Sequence, residues 1–254
     1  MTSASGEVRY SVEDRVALIT LDAPERRNAM NLALVDELVA AVGAAEGDEG
    51  VGAVVVTGAG TAFCAGAALD HLADPGADKD AGLRRVYEGF LAVARCALPT
   101  VAAVNGPAVG AGMNLALACD VRIVSASARF EARFLDLGLH PGGGHTWMLD
   151  RIAGPQTAAA AVLFGEALDG RTAAECGLAW RCVPDDELLS AAHAFAARAA
   201  SMPRELSVRT KATLRAVRSV ASHAEAVDHE LAVQVWSTEQ PDFAARLAKF
   251  RTPR

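Results

Sequence analysis

Aromatic residues are scarce in this chain: Phe, Tyr and Trp make up 5% of 254 residues, while 52% of the chain is hydrophobic. The interior must therefore be filled mainly by Ala, Val and Leu, which favours close-packed helices on buried strands. Cysteine is equally unhelpful as a chemical signal. Cys64, Cys96, Cys119, Cys176 and Cys182 form no CxxC pair, and most lie in apolar surroundings where a free thiol behaves as a small hydrophobe, as in a reducing cytoplasm. No run reaches the roughly 18 uncharged apolar residues of a membrane span, and Met1-Thr-Ser-Ala-Ser-Gly6 lacks the basic and apolar regions of an export signal. A soluble cytoplasmic protein is expected. Basic residues are scattered rather than blocked and the net charge is −7, which argues against nucleic acid or an anionic membrane as the main partner. No His/Asp/Glu cluster has ligand spacing, so no metal is implied.

What is present is an alternation of strands and helices. Val8 to Asp22 reads as two strands followed by a turn at Pro24-Glu-Arg-Arg27. Asn31 is placed to cap a helix over Leu32 to Ala45, where Leu34, Leu38 and Val42 recur every four residues. Strands at Val51–Thr57, Thr100–Val104 and Val121–Val124 alternate with helices at Ala81–Cys96 and Ala111–Ala118, which implies right-handed crossovers and largely parallel pairing. Ala73 to Asp80 reads as a mobile surface loop. After Pro155 the pattern is almost wholly helical, starting with Gln156–Phe164 and ending with Pro241–Phe250. The length suits one domain, or one domain with a small appendage.

Two Gly/Ala-rich loops follow apolar strands: Gly58 to Ala67, and Asn105 to Gly112. Small residues let backbone approach a ligand closely, and Gly110-Ala-Gly112 at a helix start adds the positive end of the helix dipole. Such loops can cradle a phosphate, polarise a carbonyl, or simply pack a strand against a helix. A dinucleotide fingerprint fails because Phe63 stands where a glycine is needed after Gly58-Ala-Gly60, and no GxxxxGK[ST] run exists. Two backbone N–H groups aimed at a thioester oxygen would stabilise the negative charge it gains in an enolate or tetrahedral state.

In order and spacing these loops resemble the enoyl-CoA hydratase/isomerase (crotonase) superfamily. Pro24-Glu-Arg-Arg-Asn-Ala-Met30 is similar to its early turn, Ala62 to Leu69 to its first oxyanion loop, and Asn105 to Asp120 to its second. Ala128-Arg-Phe130 with Leu137 to Gly144 resembles the segment bearing a second catalytic residue, and the likeness spans Val8 to Phe250. It implies an α/β fold, a crotonase-like spiral of ββα units over residues 1–195 holding the acyl-CoA site, with a helical C-terminal trimerisation region over 196–254. It further implies oxyanion donors at the N–H groups of Ala67 and Ala111, and CoA contacts from Arg26 or Arg27, Ala29, Ala65, Gly66, Ala68, Leu69, Gly110 and Leu139. Phe243, Arg246 and Lys249 would either reach a neighbouring subunit's CoA or be ordinary amphipathic-helix residues. The expected assembly is a homotrimer or a dimer of trimers. CoA is expected only as part of the acyl-CoA or enoyl-CoA substrate, with no other cofactor.

The chain departs from that pattern where proton chemistry is expected. The two catalytic glutamates of the family's hydratases fall at Asn114 and Phe134. An amide can hold a water but cannot take its proton, and phenylalanine offers no proton at all. Asp136 would point away from Phe134 on a helix, as a solvent or capping carboxylate, whereas Glu131 would share the Phe134 face if that segment is helical, unless Arg133 claims it. His140, in the loop lining the acyl pocket of relatives, is the candidate substitute base or a hydrogen-bonded surface group, and His145 is a second candidate. His71 lies at the pocket mouth or in solvent; His193, His223 and His229 carry no signal. Two readings follow: an enoyl-CoA hydratase/isomerase-type lyase acting in fatty acid metabolism, or a non-catalytic acyl-CoA-binding protein of the same fold.

Overall fold

The computed structural model describes residues 6–68 and 78–251. Alternating apolar residues form β1 (Val8–Glu13) and β2 (Val16–Leu21), an antiparallel hairpin. Its two linking residues, Asp14 and Arg15, take φ of 47° and 64°, the left-handed conformation that suits a tight hairpin to the strands' twist. From β2 the sheet continues in parallel through β3 (Ala53–Gly58), β4 (Thr100–Val104), β6 (Val121–Ser125) and β9 (Arg181–Val183), in the order β1-β2-β3-β4-β6-β9. A second sheet joins β5 (Pro107–Val109), β7 (Arg129–Glu131) and β8 (Leu168–Asp169). The mixed α/β architecture with a mainly parallel sheet agrees with the sequence reading.

Every residue of β3 and β4 is buried because the sheet is covered on both faces. One face, including Ile19, Val54, Val56, Ala102 and Val124, belongs to the main core under α1 (Leu32–Gly47) and α2 (Lys79–Arg95). The other, including Val55, Val101 and Ile123, packs on Leu188, Ala192, Ala196 and Ala200 of α6 (Leu188–Ala200). The four-residue spacing on α6 presents a smooth alanine stripe to the strands. Asn31 caps α1 as expected, its side chain accepting from Leu34 N–H at 2.8 Å.

α3 (Ala111–Ala118) runs through the core with all but its first residue buried. Arg122 pins its far end: Nε donates to the Leu178 carbonyl at 2.6 Å, and Nη1 to the Cys119 carbonyl at 2.8 Å. A cation at that C-terminus complements the dipole whose positive end lies at Ala111. Burial lowers the Arg122 pKa, a cost these carbonyls offset.

Two departures concern the second half. The helix expected from Gln156 begins at His145: α4 (His145–Leu163) starts after Gly144 at φ 81° and is interrupted at Gly154, φ 82°, just before Pro155. The proline marks a kink rather than a start. β8 and β9 interrupt the stretch expected to be helical, and are too short to have a period of their own. α5 (Gly170–Glu175), α7 (Arg204–Ala216), α8 (His223–Thr238) and α9 (Pro241–Arg251) complete the chain. Lys211 on α7 is buried, donating to the Leu98 carbonyl at 2.6 Å and pairing with Asp120 at 2.5 Å. Among the described residues no helix is long and apolar enough to cross a membrane.

Candidate active site

The two glycine-rich loops are joined backbone to backbone. Cys64 N–H donates to the Pro107 carbonyl at 3.1 Å, and Val109 N–H to the Cys64 carbonyl at 2.9 Å. Gly112 makes this approach possible, since a Cβ there would stand 2.1 Å from the Cys64 carbonyl oxygen. On its other side the first loop pairs with the early turn: Met30 N–H donates to the Gly66 carbonyl at 2.7 Å, and Ala68 N–H to the Met30 carbonyl at 2.8 Å. That alternation leaves the N–H of Ala67 facing away from the pairing.

Asn28, a residue not singled out from the sequence, holds the start of the loop. It is fully buried, accepts from Ala23 N–H at 2.9 Å, and donates to the carbonyls of Ala59 at 2.9 Å and Ala62 at 2.8 Å. Its φ of 59° is one that asparagine tolerates better than most residues. Asn105 adds a bond to the Gly60 carbonyl at 3.0 Å.

Each loop then turns at a glycine of positive φ, Gly66 at 103° and Gly110 at 50°. Ala67 and Ala111 follow directly, and both line a cavity of about 340 Å³. Ala111 is the first residue of α3, so its N–H has no partner within the helix. Neither N–H has an acceptor among the described residues. The remaining wall is apolar at Leu83, Val86, Leu137 and Leu139, with polar atoms from Tyr87, Asn114, Arg133 and His140. No carboxylate lines it among the described residues. Cys64 is not a nucleophile here, because burial pushes its thiol up to about 12.

Asn114 and Phe134 do meet at this cavity, and His145 lies behind both. Asn114 Nδ2 donates to the Gly142 carbonyl at 3.0 Å, which turns Oδ1 toward His145 Nδ1 at 2.7 Å. An amide oxygen accepts, so Nδ1 carries the proton and Nε2 is left with its lone pair. Nε2 is buried without a partner among the described residues. The imidazole also packs against Phe134, centroids 4.9 Å apart and edge to face. Burial lowers the His145 pKa to about 4. His145 opens α4 rather than lying in a loop, and it is not part of the cavity wall.

His140 is exposed at the wall, and its Nδ1 donates to the Pro141 carbonyl at 2.7 Å. That contact fixes the proton on Nδ1 in the neutral ring and leaves Nε2 as a base. Glu131 corrects the sequence reading: it lies on β7, not on a helix, and its buried carboxylate is held by Arg129 at 2.8 Å and by Arg133. Strand geometry removes it from the Phe134 face. Asp136 is exposed.

Of the remaining candidates, Ala65, Gly66, Gly110 and Leu139 line the cavity. Arg26, Arg27, Ala29 and Ala68 belong to the adjoining turn and loop without lining it. Arg26 is paired with Glu7 and donates to the Ala29 carbonyl at 3.2 Å, while Arg27 is exposed. Phe243, Arg246 and Lys249 on α9 are not in this wall; Arg246 donates to the Ser201 carbonyl at 3.0 Å. Leu69, His71 and most of the Ala73–Asp80 loop lie outside the described residues. Among the described residues no group of His, Cys, Asp and Glu is arranged to hold a metal ion.

Comparison with known proteins identifies the family. Residues 11–251 match the family model described as enoyl-CoA hydratase/isomerase. The chain is 53% identical to the probable enoyl-CoA hydratase EchA14 of Mycobacterium tuberculosis, over 95% of this chain and 96% of that one. It is 38% identical to a 1,2-epoxyphenylacetyl-CoA isomerase of Escherichia coli, over 76% of this chain and 75% of that one. Among solved structures, an enoyl-CoA hydratase from Bacillus anthracis superposes with a TM-score of 0.91 at 28% identity, covering 98% of each chain.

Proposed function

The chain belongs to the enoyl-CoA hydratase/isomerase family and is an enzyme of that type; from this premise we propose that it hydrates or isomerises 2-enoyl-CoA thioesters of fatty acid metabolism. The thioester oxygen sits between the N–H groups of Ala67 and Ala111. The observation that carries the reading is the convergence of these two unpartnered donors, each set by a positive-φ glycine, on one cavity. Fixed donors of this kind cost no reorganisation as charge develops, and each is worth about 2.7–4 kcal/mol of barrier.

In hydration, Asn114 orients the water and His140 Nε2 takes its proton as oxygen bonds to the β-carbon. The double-bond electrons move onto the thioester oxygen, giving an enolate held by Ala67 and Ala111. Isomerisation needs no water: removal of a proton from the α- or γ-carbon gives a dienolate held by the same two N–H groups, and reprotonation at the other carbon moves the double bond. Phe134 shapes the wall that encloses the acyl chain. Arg27, exposed, is the cation for a CoA phosphate, because Arg26 is already engaged by Glu7. CoA arrives as part of the substrate.

The test is crotonyl-CoA binding by calorimetry alongside hydration followed by thioester absorbance. Wild type should bind and turn over, and His140→Ala should lose about 10²-fold or more in kcat with binding retained. Ala111→Pro removes one donor at a helical position that accepts proline, and should lower kcat about 10²–10³-fold. Binding without any turnover of short or longer 2-enoyl-CoAs would overturn the proposed reaction.

A further inference from the structure

We infer that Tyr87 is a catalytic residue, the hydroxyl that exchanges a proton with the acyl α-carbon. The inference rests on the oxyanion site and the His140 base proposed above, and concerns the second proton that such a reaction requires. Among the described residues no carboxylate lines the wall, and its polar side chains are those of Tyr87, Asn114, Arg133 and His140. An amide does not ionise and a guanidinium stays charged. Arg133 is also held by Glu131. With His140 as the base, the O–H of Tyr87 is the acid that the described residues of the wall supply.

Its placement supports the role. Tyr87 lies on α2, half-buried, with its ring against Phe90 at 5.6 Å between centroids. The hydroxyl stands over Gly142, where a Cβ would come within 2.3 Å of it. Position 142 must therefore lack a side chain for Tyr87 to reach the wall. The Gly142 carbonyl orients Asn114, so the phenol and the water-holding amide both lie beside Gly142. Tyr87 lines the same largely apolar cavity as Ala67 and Ala111.

The step balances as a proton transfer. The O–H bond of Tyr87 breaks with its electron pair kept by the phenolate oxygen. A C–H bond forms at the α-carbon from the enolate π pair, and the thioester carbonyl re-forms. The phenolate regains a proton through solvent from the His140 imidazolium, restoring both groups. Isomerisation runs the same exchange at the α-carbon in whichever direction the double bond moves.

The experiment follows α-proton exchange of butyryl-CoA into deuterated water by NMR, with crotonyl-CoA hydration and binding measured on the same samples. Tyr87→Phe preserves the ring and its Phe90 contact. It should bind crotonyl-CoA within about two-fold of wild type while exchange falls about 10²–10⁴-fold. Replacing Tyr87 with a fluorinated, more acidic tyrosine should move the alkaline limb of the pH–rate profile to lower pH, which a packing role would not do. If Tyr87→Phe exchanges like wild type, or the limb stays in place, Tyr87 is not the acid although the proposed function stands. If wild type binds crotonyl-CoA yet neither hydrates nor exchanges, the proposed function falls and the assignment falls with it.

Discussion

His145 is held as a buried neutral imidazole, far from its free form. Burial brings its folded pKa to about 4, below the ordinary histidine value of 6.5, so the unfolded chain binds the extra proton more readily. Stability is then fully present above about pH 6.5 and is lost as pH falls toward 4, with up to about 3 kcal/mol at stake. Urea unfolding of wild type and His145→Gln from pH 4 to 7.5 should show the wild type losing more stability across that window; parallel curves would contradict a buried neutral imidazole. Asn114→Asp tests the neighbouring contact. An aspartate still accepts from His145 but sets an oxygen against the Gly142 carbonyl, where Asn114 now donates at 3.0 Å. A loss of about 1–3 kcal/mol at neutral pH is expected from denaturant curves. At this scale the sequence was partly legible. It brought Asn114, Phe134 and His140 to one place, because motif order carries their register. It did not reveal Tyr87 or Asn28, because a lone Tyr on an amphipathic helix and an Asn in a turn look like ordinary residues until the backbone they serve is known.

At the scale of elements, the site depends on two loops held edge to edge with almost no room between them. Gly112→Ala places a methyl 2.1 Å from the Cys64 carbonyl, and the clash is with backbone rather than a movable side chain. The loops must separate, at a cost of about 1–3 kcal/mol or more. Separation also misaligns Ala67 against Ala111, so thermal denaturation and crotonyl-CoA binding should weaken together. A variant that keeps wild-type affinity would show that the loops tolerate displacement. Parallel strands and the α1 cap were readable because β-branched runs and an Asn before an apolar period have local causes. β5, β7, β8 and β9 were not, since strands of two or three residues owe their existence to the partners they pair with. The start of α4 was hidden by Gly142, Gly143 and Gly144, which read as loop while serving close approach and capping.

At the scale of the molecule, the C-terminal helices are anchored but unfinished. Lys211 fastens α7 to the core through Leu98 and Asp120, yet α8 buries no residue at all. Val227, Leu231 and Val235 recur every four residues on α8 and are 45%, 50% and 50% exposed, forming one apolar stripe. Phe243 on α9 is 43% exposed. Covering the exposed half of each such side chain gains on the order of 1 kcal/mol, and a chain carrying net charge −7 does not associate by charge alone. The expected outcome is assembly of copies of this chain through the helical region, giving a trimer or its dimer by light scattering. Paired substitution Leu231→Glu and Val235→Glu sets carboxylates in that stripe, and should yield monomers whose core still melts cooperatively. Weaker acyl-CoA binding in those monomers would place Phe243, Arg246 or Lys249 at a neighbour's site. Unchanged binding would confine them to the surface of α9, and a monomeric wild type would remove the helical region from assembly altogether.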